Sequence, residues 1–123
     1  MLEYNIMEPP FSIEIKGIEN KHILNVCKGW GNGYILLPKN HIYHGVMYDD
    51  IEDDIAHGGF TYSEKNKYCL LFNNFPNNFW VLGFDTAHYG DTPDVWTKEA
   101  VKQETIKLAK YYDQEKFYKK EGN

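Results

Sequence analysis

Hydrophobic and polar positions alternate from Phe11 to Lys16, with Phe11, Ile13 and Ile15 set against Ser12, Glu14 and Lys16, the period of a half-buried strand. Gly17 to Lys21 reads as a turn and His22 to Lys28 as a second strand, so this stretch predicts a hairpin. Ahead of it, residues 1–10 carry little periodicity and end in Pro9-Pro10, which favours an extended segment. The apolar run Tyr34 to Leu37 is fed by the glycine-spaced loop GWGNG and halted by Pro38, and it predicts a short strand. Ile55 to Ser63 reads as a strand interrupted at Gly58-Gly59, where a bulge or a close backbone approach is expected. Two further apolar runs, YCLLF at 68–72 and FWVLGF at 79–84, flank the turn-rich NNFPNN and predict a second hairpin. The clearest helix comes last. Thr97 can cap it, Glu99 sits in its first turn, and Val101, Thr105, Leu108 and Tyr112 share one face. Beyond it, the charged residues 114–123 are expected to fray. Together these elements predict an α+β fold in one domain over residues 1–123. It is a mostly antiparallel sheet of about 5–6 short strands packed against one C-terminal helix.

Composition narrows the function classes. A chain of 123 residues can bury a real core without disulfide or metal staples. The only cysteines, Cys27 and Cys69, lie in strand-like runs and read better as two buried free thiols than as a pair. The net charge is -5, and all 13 basic residues are lysines. An acidic chain without arginine is a poor match for polymeric DNA or RNA, whose binding leans on a basic surface and on the guanidinium fork. A small anionic ligand stays open, since backbone N–H groups, lysines and histidines can hold one or two phosphates. No stretch approaches the roughly 20 apolar residues of a membrane span, and MLEYNIMEPP is acidic where a signal peptide would be basic. The expected location is the cytoplasm.

Polar chemistry concentrates in three places. His41 follows Pro38; His57 opens AHGGFTYSE; and GFDTAHYGD sets Asp85, His88 and Asp91 at three-residue steps behind an apolar run. If the last loop curls as one turn, Asp85 and His88 face the same side, and a carboxylate can orient an imidazole there. That is the minimum for general acid–base work. The plainer alternative has Asp85 capping a turn and His88 simply packing. A transition metal would suit imidazole and carboxylate ligands, but HExxH and paired CxxC are lacking, so no cofactor is expected. The acidic run Asp49, Asp50, Glu52, Asp53 and Asp54 does not fit an EF-hand and reads mostly as solvated surface. Of the aromatic residues, Trp30, Tyr62 and Tyr89 are the best candidates to stack on a flat ring.

The succession GYILLPKNHIYHG, AHGGFTYSE and FWVLGFDTAHYGD, followed by a helix with Glu104 and Leu108, resembles a family of short phage- and prophage-encoded proteins. Their pattern reads P-x-x-H, HGG-hydrophobic-TY and W-x-x-GFD-x-x-H-x-GD, and the resemblance covers about residues 33–112. It lands on Pro38, His41, His57, Gly58, Gly59, Thr61, Tyr62, Trp80, Gly83, Phe84, Asp85, His88, Gly90 and Asp91. The chain departs from the family in its longer N-terminal segment and in Thr86-Ala87-His88-Tyr89, where small residues more often precede the GD. The family carries no assigned activity, so the resemblance implies context, that of small phage proteins countering bacterial defence through nucleotide signals.

The leading expectation is therefore a protein that captures a nucleotide-like small molecule, held by His41, His57, Gly58, Gly59, Thr61, Tyr62, Asp85, His88 and Asp91. Capture would favour a homo-oligomer, because a pocket shared between chains encloses a ligand more fully. The alternative is a hydrolase or phosphoesterase. There His57 and His88 serve as acid and base, Asp85 orients His88, and Tyr62 stabilises developing charge. A third reading is an inhibitor of a host protein, steered by the acidic segment 49–54.

Overall fold

The computed structural model describes residues 1–8, 28–69 and 71–120, with the side chains of Tyr68 and Cys69 left aside. Four strands form one antiparallel sheet in the order β1-β2-β4-β3: β1 (Tyr4–Met7), β2 (Asn32–Leu37), β3 (Tyr62–Lys65) and β4 (Trp80–Phe84). A single helical turn, α1 (Asn66–Cys69), follows β3, and α2 (Lys98–Tyr111) follows β4. The expected hairpin of 11–16 and 22–28 lies outside the described residues but for Lys28, and so does Cys27.

The two central strands are covered on both faces, which explains why they read as continuous apolar runs. Ile35, Leu37, Trp80, Leu82 and Phe84 point to the main core, where α2 adds Val101, Leu108 and Ala109 and its C-terminal cap adds Tyr112. Burying each of the larger side chains contributes roughly 1.5–3 kcal/mol. Tyr34, Leu36 and Val81 point the other way and meet Phe72, with Tyr62, Leu71, Phe75 and Phe79 around them. The helix lies close on β2 at Gly33, where a Cβ would fall 2.0 Å from Thr105 Oγ1. Thr97 caps α2 as expected, its hydroxyl accepting from Ala100 N at 3.1 Å.

The four strands found among the described residues compare with the five or six expected, two of which, 11–16 and 22–28, fall outside those residues but for Lys28; three other segments depart from expectation. The described residues of YCLLF are not a strand: Tyr68 and Cys69 end α1, Leu71 and Phe72 lie in turns, and Phe72 packs on the sheet face opposite α2. Asn66 holds that excursion by donating to the carbonyl of Phe72 at 2.8 Å. Residues 55–61 are not a strand either, because Gly58 and Gly59 take φ of +68° and +82° and close a turn. Within the segment 1–10, expected to precede the sheet, Tyr4–Met7 instead supplies its edge, with Tyr4 opposite Ile35. The stretch after α2 also departs from the expected frayed tail. Glu115–Phe117 forms a 3-10 turn, Phe117 is 3 % exposed in the main core, and Tyr118 bridges to His41. An aromatic pair within a charged stretch is enough to anchor it.

Candidate functional site

Two turns of the same kind face each other at one end of the β3–β4 ladder. In the first, Gly59 N donates to Ala56 O at 2.8 Å, which places His57 second and Gly58 third. In the second, Asp91 N donates to His88 O at 2.9 Å, with Gly90 third at φ +90°. A positive φ at the third position is what a type II turn asks for, hence glycine at both. Asp54 braces the first turn by accepting from Ala56 N at 3.1 Å and Phe60 N at 2.8 Å. It was expected to be mostly solvated with its acidic neighbours, yet it and Asp53 have internal roles. Asp53 accepts from the Tyr111 hydroxyl.

The turns are tied together by their side chains. Asp91, 5 % exposed, accepts from His57 Nε2 at 2.8 and 3.0 Å and from the backbone N–H of His88 at 2.9 Å. Asp85 accepts from the Thr61 hydroxyl at 2.7 Å and from Ala87 N at 3.0 Å. Its Oδ1 also stands 3.2 Å from His88 Nε2. That last contact is close but poorly aligned, so the buried His88 Nε2 makes no hydrogen bond. It rests instead on Gly58, where a Cβ would lie 2.4 Å from the nitrogen. The two imidazoles meet edge to face, centroids 5.5 Å apart at 77°. Trp96 covers His57 with ring centroids 4.1 Å apart.

Of the residues expected at the site, His57, Gly58, Thr61, Asp85, His88 and Asp91 come together, and Gly59 closes the first turn behind them. His41 does not join them. It is fully buried, with Nε2 donating to Tyr112 O at 2.8 Å and Nδ1 accepting from Tyr43 N at 3.1 Å, and it stacks on Phe117. Burial pushes this imidazole below its ordinary value, against the opposing pull of the Tyr112 carbonyl and Asp113. Tyr62 also stands apart, its ring edge-on to Tyr34 at 5.6 Å within the cluster on the sheet face away from α2. Trp96 was the residue overlooked. The sole signal for it was its place just before the Thr97 cap, which says nothing of a contact with His57.

Tyr89 stands 97 % exposed beside His88. Trp96 also lines a groove of about 420 Å³ with Val95, Ala100, Gln103, Glu104 and Lys107. A second cavity, of about 500 Å³, opens between Trp30, Pro93, Thr97 and Lys98, where the Lys98 ammonium lies 5.6 Å from the centre of the Trp30 ring. Among the described residues no group of three or more His, Cys, Asp or Glu is placed to hold a metal ion. No helix among them is long and apolar enough to cross a membrane.

Fold and cluster together define a small α+β protein with paired histidines and aspartates at the end of an antiparallel ladder. Comparison with protein-family models, curated proteins and solved structures finds no match to the chain.

Proposed function

We propose that the chain is a hydrolase of the phosphoesterase type that cleaves a nucleotide-like small molecule, with His57 and His88 exchanging the protons. The observation that carries this reading is the pairing: two imidazoles 5.5 Å apart, His57 bonded through Nε2 to Asp91 and His88 with Nε2 3.2 Å from Asp85. An ionised carboxylate only accepts, so Asp91 fixes the His57 tautomer with hydrogen on Nε2 and leaves a lone pair on Nδ1. One imidazole takes the proton of the attacking water or hydroxyl at Nδ1. The other, protonated at that position, gives its proton to the leaving oxygen, and exchange with solvent restores both. Without arginine, charge building on the phosphoryl group would be met by imidazolium.

The nucleotide class rests on the π-faces around the site, Tyr89 and Trp30, and on the resemblance to phage proteins. On this reading the activity would act in a bacterial cytoplasm, on an immune signal. Capture without cleavage is the second reading, favoured by the cavity where an indole and the Lys98 ammonium lie together. In that case a homo-oligomer would close over the ligand. Incubation with cyclic dinucleotides and ADP-ribose derivatives, followed by denaturation and chromatography, separates the two. Product that falls by about 10²–10⁴-fold in His57→Ala and His88→Ala supports catalysis. Intact ligand released from the protein supports capture, and neither result removes both.

A further inference from the structure

We propose that Trp96 is a positioning residue for His57, holding the ring in the orientation that keeps Nε2 on Asp91 and turns Nδ1 outward. This rests on the acid–base reading above. A hydrogen bond to one carboxylate fixes the direction of the Nε2 edge but leaves the ring free to pivot about that axis. The indole removes the freedom, since it lies against the imidazole face at 4.1 Å and 38°. The edge-on His88 ring is a second neighbour, at 5.5 Å and 77°.

Trp96 is itself fixed. Its backbone N–H donates to Thr92 O at 2.8 Å, and its carbonyl accepts from Trp30 N at 2.8 Å. Gly29 crosses so near that a Cβ there would fall 2.5 Å from Trp96 Cβ. The indole packs against the main core, so the support is as firm as the helix start that follows it. A base held by a rigid plane starts close to its reacting geometry, and misplacement by about 1 Å is enough to cost about 10²-fold in rate. Trp96 touches no reacting atom in this scheme. It acts through His57.

The test compares Trp96→Phe and Trp96→Leu in the full chain. Long-range proton–nitrogen spectra of the imidazoles report the His57 tautomer and its Asp91-bonded Nε2–H. Turnover is followed on the same panel of cyclic dinucleotides and ADP-ribose derivatives. Phenylalanine keeps a flat face and is expected to retain the His57 signature, with turnover within about 3-fold of the parent. Leucine keeps bulk without the plane. It is expected to lose the signature and about 10–100-fold in kcat, with KM and the His88 signals little changed. Equal behaviour of the two variants, or a His57 signature that survives in Trp96→Leu, overturns the proposal. Should His57→Ala and His88→Ala leave turnover intact, or no substrate be cleaved, the acid–base reading falls. The spectra of the Trp96 variants then still decide whether the indole holds the ring.

Discussion

Gly58→Ala asks whether the two turns are matched to each other. Two penalties meet at this position. The backbone has φ +68°, a left-handed conformation that costs an L-residue roughly 1–2 kcal/mol. The added methyl would also fall 2.4 Å from Nε2, 2.5 Å from Cδ2 and 2.8 Å from Cε1 of His88. Relief requires the ring to retreat by about 1 Å to reach ordinary van der Waals distance. Because the imidazole is 32 % exposed, it can swing outward, and the clash then costs little stability. The retreat does break its approach to Asp85. Gly45→Ala is the control, with φ +81° and nothing within 4 Å of the added methyl. Both variants should lose about 1–2 kcal/mol, read as a fall in Tm of about 3–10 °C in thermal melts. Only Gly58→Ala should move the His88 ring resonances and reduce turnover. If Gly58→Ala leaves the His88 resonances and turnover as undisturbed as Gly45→Ala does, the contact between the turns has no consequence and the reasoning fails.

Asp91→Asn keeps the shape, but whichever way the amide turns, its NH2 replaces an acceptor and faces a donor, His57 Nε2–H or the His88 backbone N–H. It should lower turnover about 10–100-fold while the chain stays folded, as seen by circular dichroism. Phe117→Ala should cost about 3 kcal/mol in urea unfolding, whereas an unstructured tail would lose nothing. His41 gives a pH test whose sign follows from its depressed folded value. Above the ordinary value of 6.5 both states are neutral and stability is intact. As pH falls further, the unfolded chain takes the proton first, so stability declines towards the lower folded value. His41→Gln, which can keep one donor and one acceptor, should flatten that slope between urea midpoints at about pH 7.5 and about pH 5. An unchanged slope would assign the acid sensitivity to other groups.

The parts of the fold that could be read directly are those whose signals are local. α2 announces itself through Thr97, the stripe from Val101 to Tyr112 and the charged positions between. β4 does so through an unbroken apolar run that only a covered strand can use. YCLLF has the same apolar character, yet a short run without period encodes burial and leaves geometry open. Phe72 is buried as its type demands, but from a turn. β1 was invisible for the opposite reason, since four residues at a sheet edge owe their extension to β2, far along the chain. The HGG segment looked like an interrupted strand because its alternation resumes at Tyr62. The carboxylate of Asp54, which closes it into a turn, lies before the pattern begins.

At the site, residue types were legible and partners only half so. The three-residue step from Asp85 to His88 brings those groups within 3.2 Å, as neighbours on one turn must be. The same step predicts nothing about Asp91, which crosses to His57, 34 positions earlier. That choice belongs to the ladder. With Tyr62 opposite Gly83, Thr61 N reaches Gly83 O, and the Thr61 hydroxyl can then meet Asp85. His57 is thereby carried over Asp91. Slipping the pairing by one residue would turn Tyr62 to the other sheet face and separate both imidazoles from their carboxylates. The cluster is therefore a readout of strand register, and a substitution that loosens β3 from β4 should disperse the histidines before it unfolds the helix and the main core.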